Sequence, residues 1–158
     1  MKIERIHIEN FGKLSNYTLD LKTGLNEIHE VNGFGKTTLS IFIKVMFYGM
    51  PPSRDNLKME RKKYMPWQGG DFGGYIEFAS SQGHFRLTRF FGKTPESDTF
   101  ELLDLKNNKL IDRPKNEIGE DIWGVGKDTF EMTAFFAQNN FLSSANAQIS
   151  ASILGLDK

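Results

Sequence analysis

The sequence predicts an α/β domain in which an antiparallel β-meander packs around one buried helix. Three observations carry this. Several segments alternate apolar and polar residues with period two, as half-exposed strands do. The stretch after Lys36 is apolar nearly all round, as a fully buried helix is. Glycine, proline and asparagine clusters separate these segments where turns are needed.

The elements follow in order. Lys2 to Phe11 places Ile6 and Ile8 on one face against Arg5 and His7 on the other, and Tyr17 to Leu21 alternates likewise, so the two predict a half-exposed hairpin. Thr23 to His29 begins at a turn glycine and has the length of a short strand. A strand buried on both faces would be almost wholly apolar, yet this one carries Glu27, His29 and Glu30. In the helix, Leu39, Phe42, Ile43, Met46 and Phe47 recur at helical spacing, while Ile41, Val45 and Tyr48 cover the opposite side before Gly49-Met50-Pro51-Pro52 ends it. Residues 51 to 70 read as a loop whose Arg54, Lys58, Arg61, Lys62 and Lys63 outnumber Asp55 and Glu60, giving the one basic surface of note. Tyr75 to Ala79, His84 to Phe91 and Thr99 to Leu105 alternate as antiparallel strands, and Lys106-Asn107-Asn108-Lys109 turns into Leu110-Ile111. Helical patterns return around Asn116 to Trp123 and Asp128 to Met132, then an apolar run Ala134 to Ala137 reaches Gln138. Ala145 to Leu156 reads as a last helix.

Composition sets the outer limits. With 158 residues, 39% apolar and 13% aromatic, the chain can bury one core and suits a single domain over 1 to 158. Lys+Arg and Asp+Glu both total 20, so no whole-chain field draws it to nucleic acid or membrane, and any DNA contact must be local. The sequence has no apolar run near the length of a membrane span and no signal segment at Met1, so a soluble cytoplasmic protein without a membrane partner is the default expectation. The absence of cysteine excludes disulfides, thiolate zinc sites and cysteine nucleophiles. His7, His29 and His84 lie in separate strand segments without metal-ligand spacing.

The chemistry concentrates in Glu30-Val31-Asn32-Gly33-Phe34-Gly35-Lys36-Thr37. This matches the phosphate-binding pattern GxxxxGK(S/T) except that Glu30 stands at the first glycine. Gly33 and Gly35 let the backbone turn tightly so that successive N–H groups form an anion nest. Lys36 adds a mobile charge for the β- and γ-phosphates, Thr37 the hydroxyl that ligates Mg²⁺, and the helix that opens at Lys36 its positive pole. The competing reading is a glycine turn before a buried helix. A Glu30 carboxylate about 5 Å from one phosphate charge would oppose it by roughly 3 kcal/mol at an effective dielectric near 20, about two decades in affinity. Pointed into solvent it costs little. Gly69-Gly70-Asp71-Phe72-Gly73-Gly74 is a turn and not a dinucleotide fingerprint, because it precedes a strand rather than a helix.

The opening IERIHIENFGKLSNYTLDL, the loop NEIHEVNGFGKTTLSIFI, the block RKKYMPWQGGDFGGYIEF and the closing TFEMTAFFAQNNFL with ILGLD resemble the N-terminal lobe of SMC-like, ABC-type ATPases of the SbcC and RecF kind. That resemblance spans almost the whole chain in order. It implies a P-loop NTPase half-domain, the ABC-ATPase N-lobe, with Walker A at the loop and a Q-loop glutamine at Gln138. It implies ATP and Mg²⁺ as cofactors. Asn32, Gly33, Gly35, Lys36, Thr37 and Thr38 would hold the nucleotide, and Thr37 and Gln138 the metal, with Gln138 also meeting the attacking water as the catalytic residue. Spacing alone gives Gln138 only as a polar strand end. Lys13, in the segment Asn10-Phe11-Gly12-Lys13, stands near a basic residue that such proteins use against nucleotide; a solvated lysine is the simpler reading. Lys62, Lys63 and Tyr64 would flank the adenine or, within the basic loop 54 to 63, track DNA phosphates, unless they form an ordinary solvated loop.

In the same family a coiled coil follows, and a C-terminal lobe brings the signature motif, the Walker B acid and the switch histidine. The nearest Walker B candidate, Phe100-Glu101-Leu102-Leu103-Asp104, is broken by Glu101, and no LSGGQ-like run occurs. The expected partner is therefore the missing C-terminal lobe or a second ATPase head, with a nuclease partner also open. The expected function is the ATP-binding half of a head engaged in DNA repair or processing, hydrolytic only when completed. A degenerate, non-hydrolysing module used for protein contact is the alternative. A small phosphoryl-transfer kinase ranks last, because no acid to activate an acceptor is evident.

Overall fold

A computed structural model describes residues 1–23, 36–50, 60–114 and 118–134. The architecture is mixed α/β. Among the described residues six strands form one sheet: β1 (Lys2–Phe11), β2 (Leu14–Asp20), β3 (Gly73–Ser80), β4 (Gly83–Phe90), β5 (Thr99–Asp104) and β6 (Lys109–Leu110). Their order is β2-β1-β3-β4-β5-β6, and every neighbouring pair is antiparallel. Among the described residues four α-helices accompany them: α1 (Lys36–Tyr48), α2 (Glu60–Lys63), α3 (Ile118–Trp123) and α4 (Lys127–Ala134).

The expected hairpin and meander are parts of one sheet, joined where β1 pairs with β3. Period-two alternation then puts one apolar row across five strands: Leu19 opposite Ile6, Ile6 opposite Ile76, Ile76 opposite Leu87, and Leu87 opposite Leu102. Ile6, Ile76 and Leu87 are fully buried. The next inward row includes Arg89, which faces Gly74 on one side and Phe100 on the other. The opposite face stays polar, with Arg5 bonded to Asp20 at 2.6 Å and Tyr75 between the His7 ring at 5.1 Å and the Arg86 guanidinium at 4.7 Å.

Helix α1 packs on the apolar face. Phe42 meets Phe11 edge-on at 5.3 Å, and Phe47 meets Phe78 at 5.9 Å. Phe47 also holds Trp123 of α3 at 5.4 Å, and Tyr48 holds Phe130 of α4 at 5.0 Å. Tyr48 Oη donates to the Val125 carbonyl at 2.8 Å, and burial raises its pKa. The expected burial of α1 holds for Leu39, Phe42, Val45, Met46 and Phe47, whereas Ile41, Ile43 and Tyr48 are only partly covered.

Several boundaries differ from the sequence expectation. β2 begins at Leu14 rather than Tyr17, because Gly12 and Lys13 alone suffice to reverse the chain and pair Phe11 with Leu14. Gly73 and Gly74 belong to β3 rather than to the preceding turn. Residues 60–63 are helical, not loop. Ala134, read as opening an apolar run, ends α4. The expected strand over Thr23 to His29 and the final helix over Ala145 to Leu156 lie outside the described residues, apart from Thr23.

Candidate functional site at the N-terminal end of the buried helix

The two ends of α1 are built differently. At its C-terminal end Gly49 has φ 78° and donates its N–H to the Val45 carbonyl at 2.8 Å, the left-handed closure that glycine provides. Two guanidinium groups then take up neighbouring carbonyls. Arg89 Nε donates to Met46 O at 3.0 Å, and Arg61 Nη2 donates to Met50 O at 3.0 Å. Asp98 holds Arg61 in a fork, Oδ1 accepting from Nη1 at 2.7 Å and Oδ2 from Nη2 at 3.0 Å. Oδ1 also accepts the Gly92 N–H at 2.8 Å, and Arg61 Nη1 donates to the Gly92 carbonyl at 2.9 Å. The side chains of Arg61 and Asp98 are 1% and 4% exposed. Burial lowers the Arg89 pKa to about 10, with Asp98 partly offsetting that. Its guanidinium lies 4.9 Å over the Phe100 ring.

This removes Arg61 from the predicted basic surface. Its charge is turned inward and paired, so of that stretch's described basic residues Lys62 and Lys63 are the exposed ones. Tyr64 is buried too, stacked on Phe11 at 5.0 Å with 13° between planes, and so belongs to the core rather than to an adenine pocket.

At the N-terminal end, α1 carries no acidic residue in its first turn. Thr37 is exposed and Thr38 buried. The Thr38 side chain lies against the β1–β2 turn: a Cβ built on Gly12 would stand 3.2 Å from both Thr38 Cγ2 and Tyr64 Cδ1. The Gly12 N–H donates to the Tyr64 carbonyl at 2.6 Å. Lys13 follows in that turn and is exposed. The fold therefore brings Thr38, the Gly12-Lys13 turn and Tyr64 together at one end of the helix, with Lys63 adjoining Tyr64. Asn32, Gly33, Gly35, Glu30 and Gln138 lie outside the described residues, and Lys36 is placed only as the first residue of α1.

The donor chemistry at this end fits an anion and its counter-cation. The helix pole is positive and unopposed by a carboxylate in the first turn, and a hydroxyl on Thr37 is available. Among the described residues no cluster of three or more His, Asp or Glu side chains could hold a metal ion by itself. His7 contacts Thr18 and Glu9, and His84 contacts Glu4. Among the described residues no helix is long and apolar enough to cross a membrane.

Sequence reasoning missed the Arg61–Asp98–Arg89 cluster. Arg89 was findable, because period two puts it on the face of Phe85 and Leu87. Nothing local marks Arg61, whose partner Asp98 lies 37 residues on.

Comparison with known proteins bears on the family. The chain is 37% identical over 78 residues to the uncharacterized protein YhaN of Bacillus subtilis (strain 168), a match covering 49% of this chain and 7% of that protein. Residues 5–154 match the family described as AAA domain. The chain belongs to that family, the AAA-domain P-loop ATPases, and with it to nucleotide-binding proteins.

Proposed function

We propose that the chain binds Mg·ATP at the N-terminal end of α1 and forms the N-terminal half of an SMC-like ATPase head engaged in DNA repair or processing. The observation that carries the proposal is the pairing of the loop pattern with a buried helix whose first turn has no acidic side chain and whose Thr37 is exposed. Backbone N–H groups of Asn32, Gly33 and Gly35 would cradle the phosphates. Lys36 would set a charge against the β- and γ-phosphates, the Thr37 hydroxyl would ligate Mg²⁺, and Thr38 would contribute its backbone N–H, its side chain being packed inward. Lys13, exposed on the adjoining turn, would add a second cation.

Mg·ATP, when bound, supplies the phosphoanhydride to be cleaved and a cation that spreads its charge. On the protein side, Gln138 would position the attacking water. Phosphoryl transfer also needs an electrostatic clamp on the far side of the phosphate, which a C-terminal lobe or second head would provide. Turnover by this chain alone is therefore expected near background. Glu30 favours a second reading, a module that keeps the fold but binds nucleotide weakly and works through protein contact. Adding a C-terminal lobe in trans separates the two, since only the first gains turnover. Isothermal titration of Mg·ATP tests the site: the native chain should release heat on binding and Lys36→Ala should not. Identical isotherms would sink the proposal.

A further inference from the structure

An exposed tryptophan in the turn that follows Tyr64 has no role at the nucleotide site. Trp67 is 94% exposed, against 58% for Leu110 and 43% for Met65, the other large hydrophobic side chains left open among the described residues. Its exposure does not come from a loose segment. Pro66 before it is buried, and Gly69 N–H closes the turn on the Pro66 carbonyl at 3.3 Å. Gln68 Nε2 donates to Asn10 Oδ1 at 3.2 Å, Asn10 Nδ2 donates to the Asp71 carbonyl at 3.0 Å, and Ser15 Oγ donates to the same Asn10 Oδ1 at 2.8 Å. Three residues upstream, Tyr64 is bound to Gly12 and stacked on Phe11. The indole is thus held out from a turn strapped to the β1–β2 hairpin at both ends.

The charge in the segments around it is mostly positive, with the exposed Asp71 as the exception. Lys13 adjoins Gly12 and Lys63 adjoins Tyr64, so the Gly12–Tyr64 hydrogen bond joins two backbone segments that each carry an exposed lysine, and Lys62 adds a third. Between Arg61 and Gly74 the sequence carries one carboxylate, Asp71, and between Asn10 and Tyr17 none. In a chain of zero net charge this is a local excess. An exposed aromatic face among lysines is the pairing that holds unpaired nucleic acid, bases stacking on the ring while phosphates follow the cations.

We infer that Trp67, with Lys62 and Lys63, is a docking platform for single-stranded nucleic acid. A duplex has its base faces already stacked and offers the indole no partner. The platform deepens the reading that the chain works on nucleic acid, and it is separate from the ATP site.

Fluorescence anisotropy of a labelled oligothymidylate, read on the native chain, Trp67→Ala, Lys62→Gln/Lys63→Gln and Lys36→Ala, tests it. Trp67→Ala should weaken binding about tenfold, within the range expected for one stacked base. The lysine pair should reduce the slope of log affinity against log salt by about 1.4, from roughly 0.7 per phosphate. Lys36→Ala should bind the oligomer normally while losing Mg·ATP, so failure of the nucleotide site and failure of the platform are told apart. In a Trp123→Phe background the remaining indole is Trp67, since the chain has 2 tryptophans, and the oligomer should quench it. Because Trp123 packs on Phe47, the anisotropy series stands without that background. Unchanged affinity in Trp67→Ala, equal affinity for a duplex, or quenching by Mg·ATP alone would each overturn the platform. The same holds if the oligomer does not bind at all, the result expected were Trp67 a contact for a protein.

Discussion

The C-terminal end of α1 is closed by the protein itself, whereas its N-terminal end presents a positive pole without a carboxylate in the first turn. A helix concentrates partial negative charge on its last carbonyls and partial positive charge on its first N–H groups. Here Arg89 and Arg61 reach the Met46 and Met50 carbonyls from β4 and α2, and Asp98 balances them within the core. The last turn supplies no basic side chain, so the cations come from distant sequence. At the other end, among the described residues, the neighbouring side chains include Thr37, Thr38, Tyr64 and, on the adjoining turn, Lys13. The contrast teaches that one end is fixed so that the other can be aimed. A buried ion pair is a poor source of net stability but a strict one geometrically, because removing either partner leaves a charge in the core.

The strongest way to break this contrast is at the fixed end. Asp98→Ala would strand the Arg61 charge and is expected to cost about 3–5 kcal/mol, roughly 10 °C in Tm for a chain of this size. Calorimetric unfolding checks it, and a loss below about 1 kcal/mol would mean the fork is ornamental. At the aimed end, Glu30→Gly should tighten Mg·ATP by up to about two decades if the carboxylate lies near the phosphates. Unchanged affinity would place that carboxylate away from the cradle. Gly49→Ala sharpens the comparison between them. A left-handed φ of 78° costs alanine about 1–2 kcal/mol, while nucleotide affinity should hold in the folded protein. Both are read from a urea melt and a titration on the same sample.

The smallest effect lies away from both ends, in the β5–β6 turn. Asp104 accepts from the Asn107 side chain at 2.8 Å and from the Lys106 and Asn107 N–H groups at 2.9 and 3.3 Å. The Asn107 side-chain bond leads in lowering its pKa, and the backbone bonds add to this. Its folded pKa lies below the unfolded value, so the turn's contribution is present above the unfolded value and lost as pH falls through the folded one. The Lys106 and Asn107 amide resonances should titrate below the usual aspartate range, and Asp104→Asn should flatten that titration.

The sheet was legible because a strand's two faces announce themselves every second residue. Ile6 and Ile8 against Arg5 and His7 needed no partner to be read, and the asparagine turn was legible because Asn108 does adopt φ 51°. The β1–β3 pairing was not legible, since nothing in Ile6 specifies Ile76 seventy positions away. Arg61 was misread for the same reason: among five basic residues its burial depends on Asp98, 37 residues along the chain. Arg89 is a different failure, because its own alternation with Phe85 and Leu87 gave the inward face. The loop was legible as a pattern, since Gly33, Gly35, Lys36 and Thr37 each answer a separate need of a bound phosphate.

Amide hydrogen exchange of the native chain with and without saturating Mg·ATP tests the central claim most directly. Protection gained at Thr37 to Ser40, with Val45 to Met50 unchanged, is the predicted result, because the ligand meets the N-terminal end and the arginines already hold the other. No protection at the first turn of α1, or protection confined to its last turn or to the sheet, would contradict it.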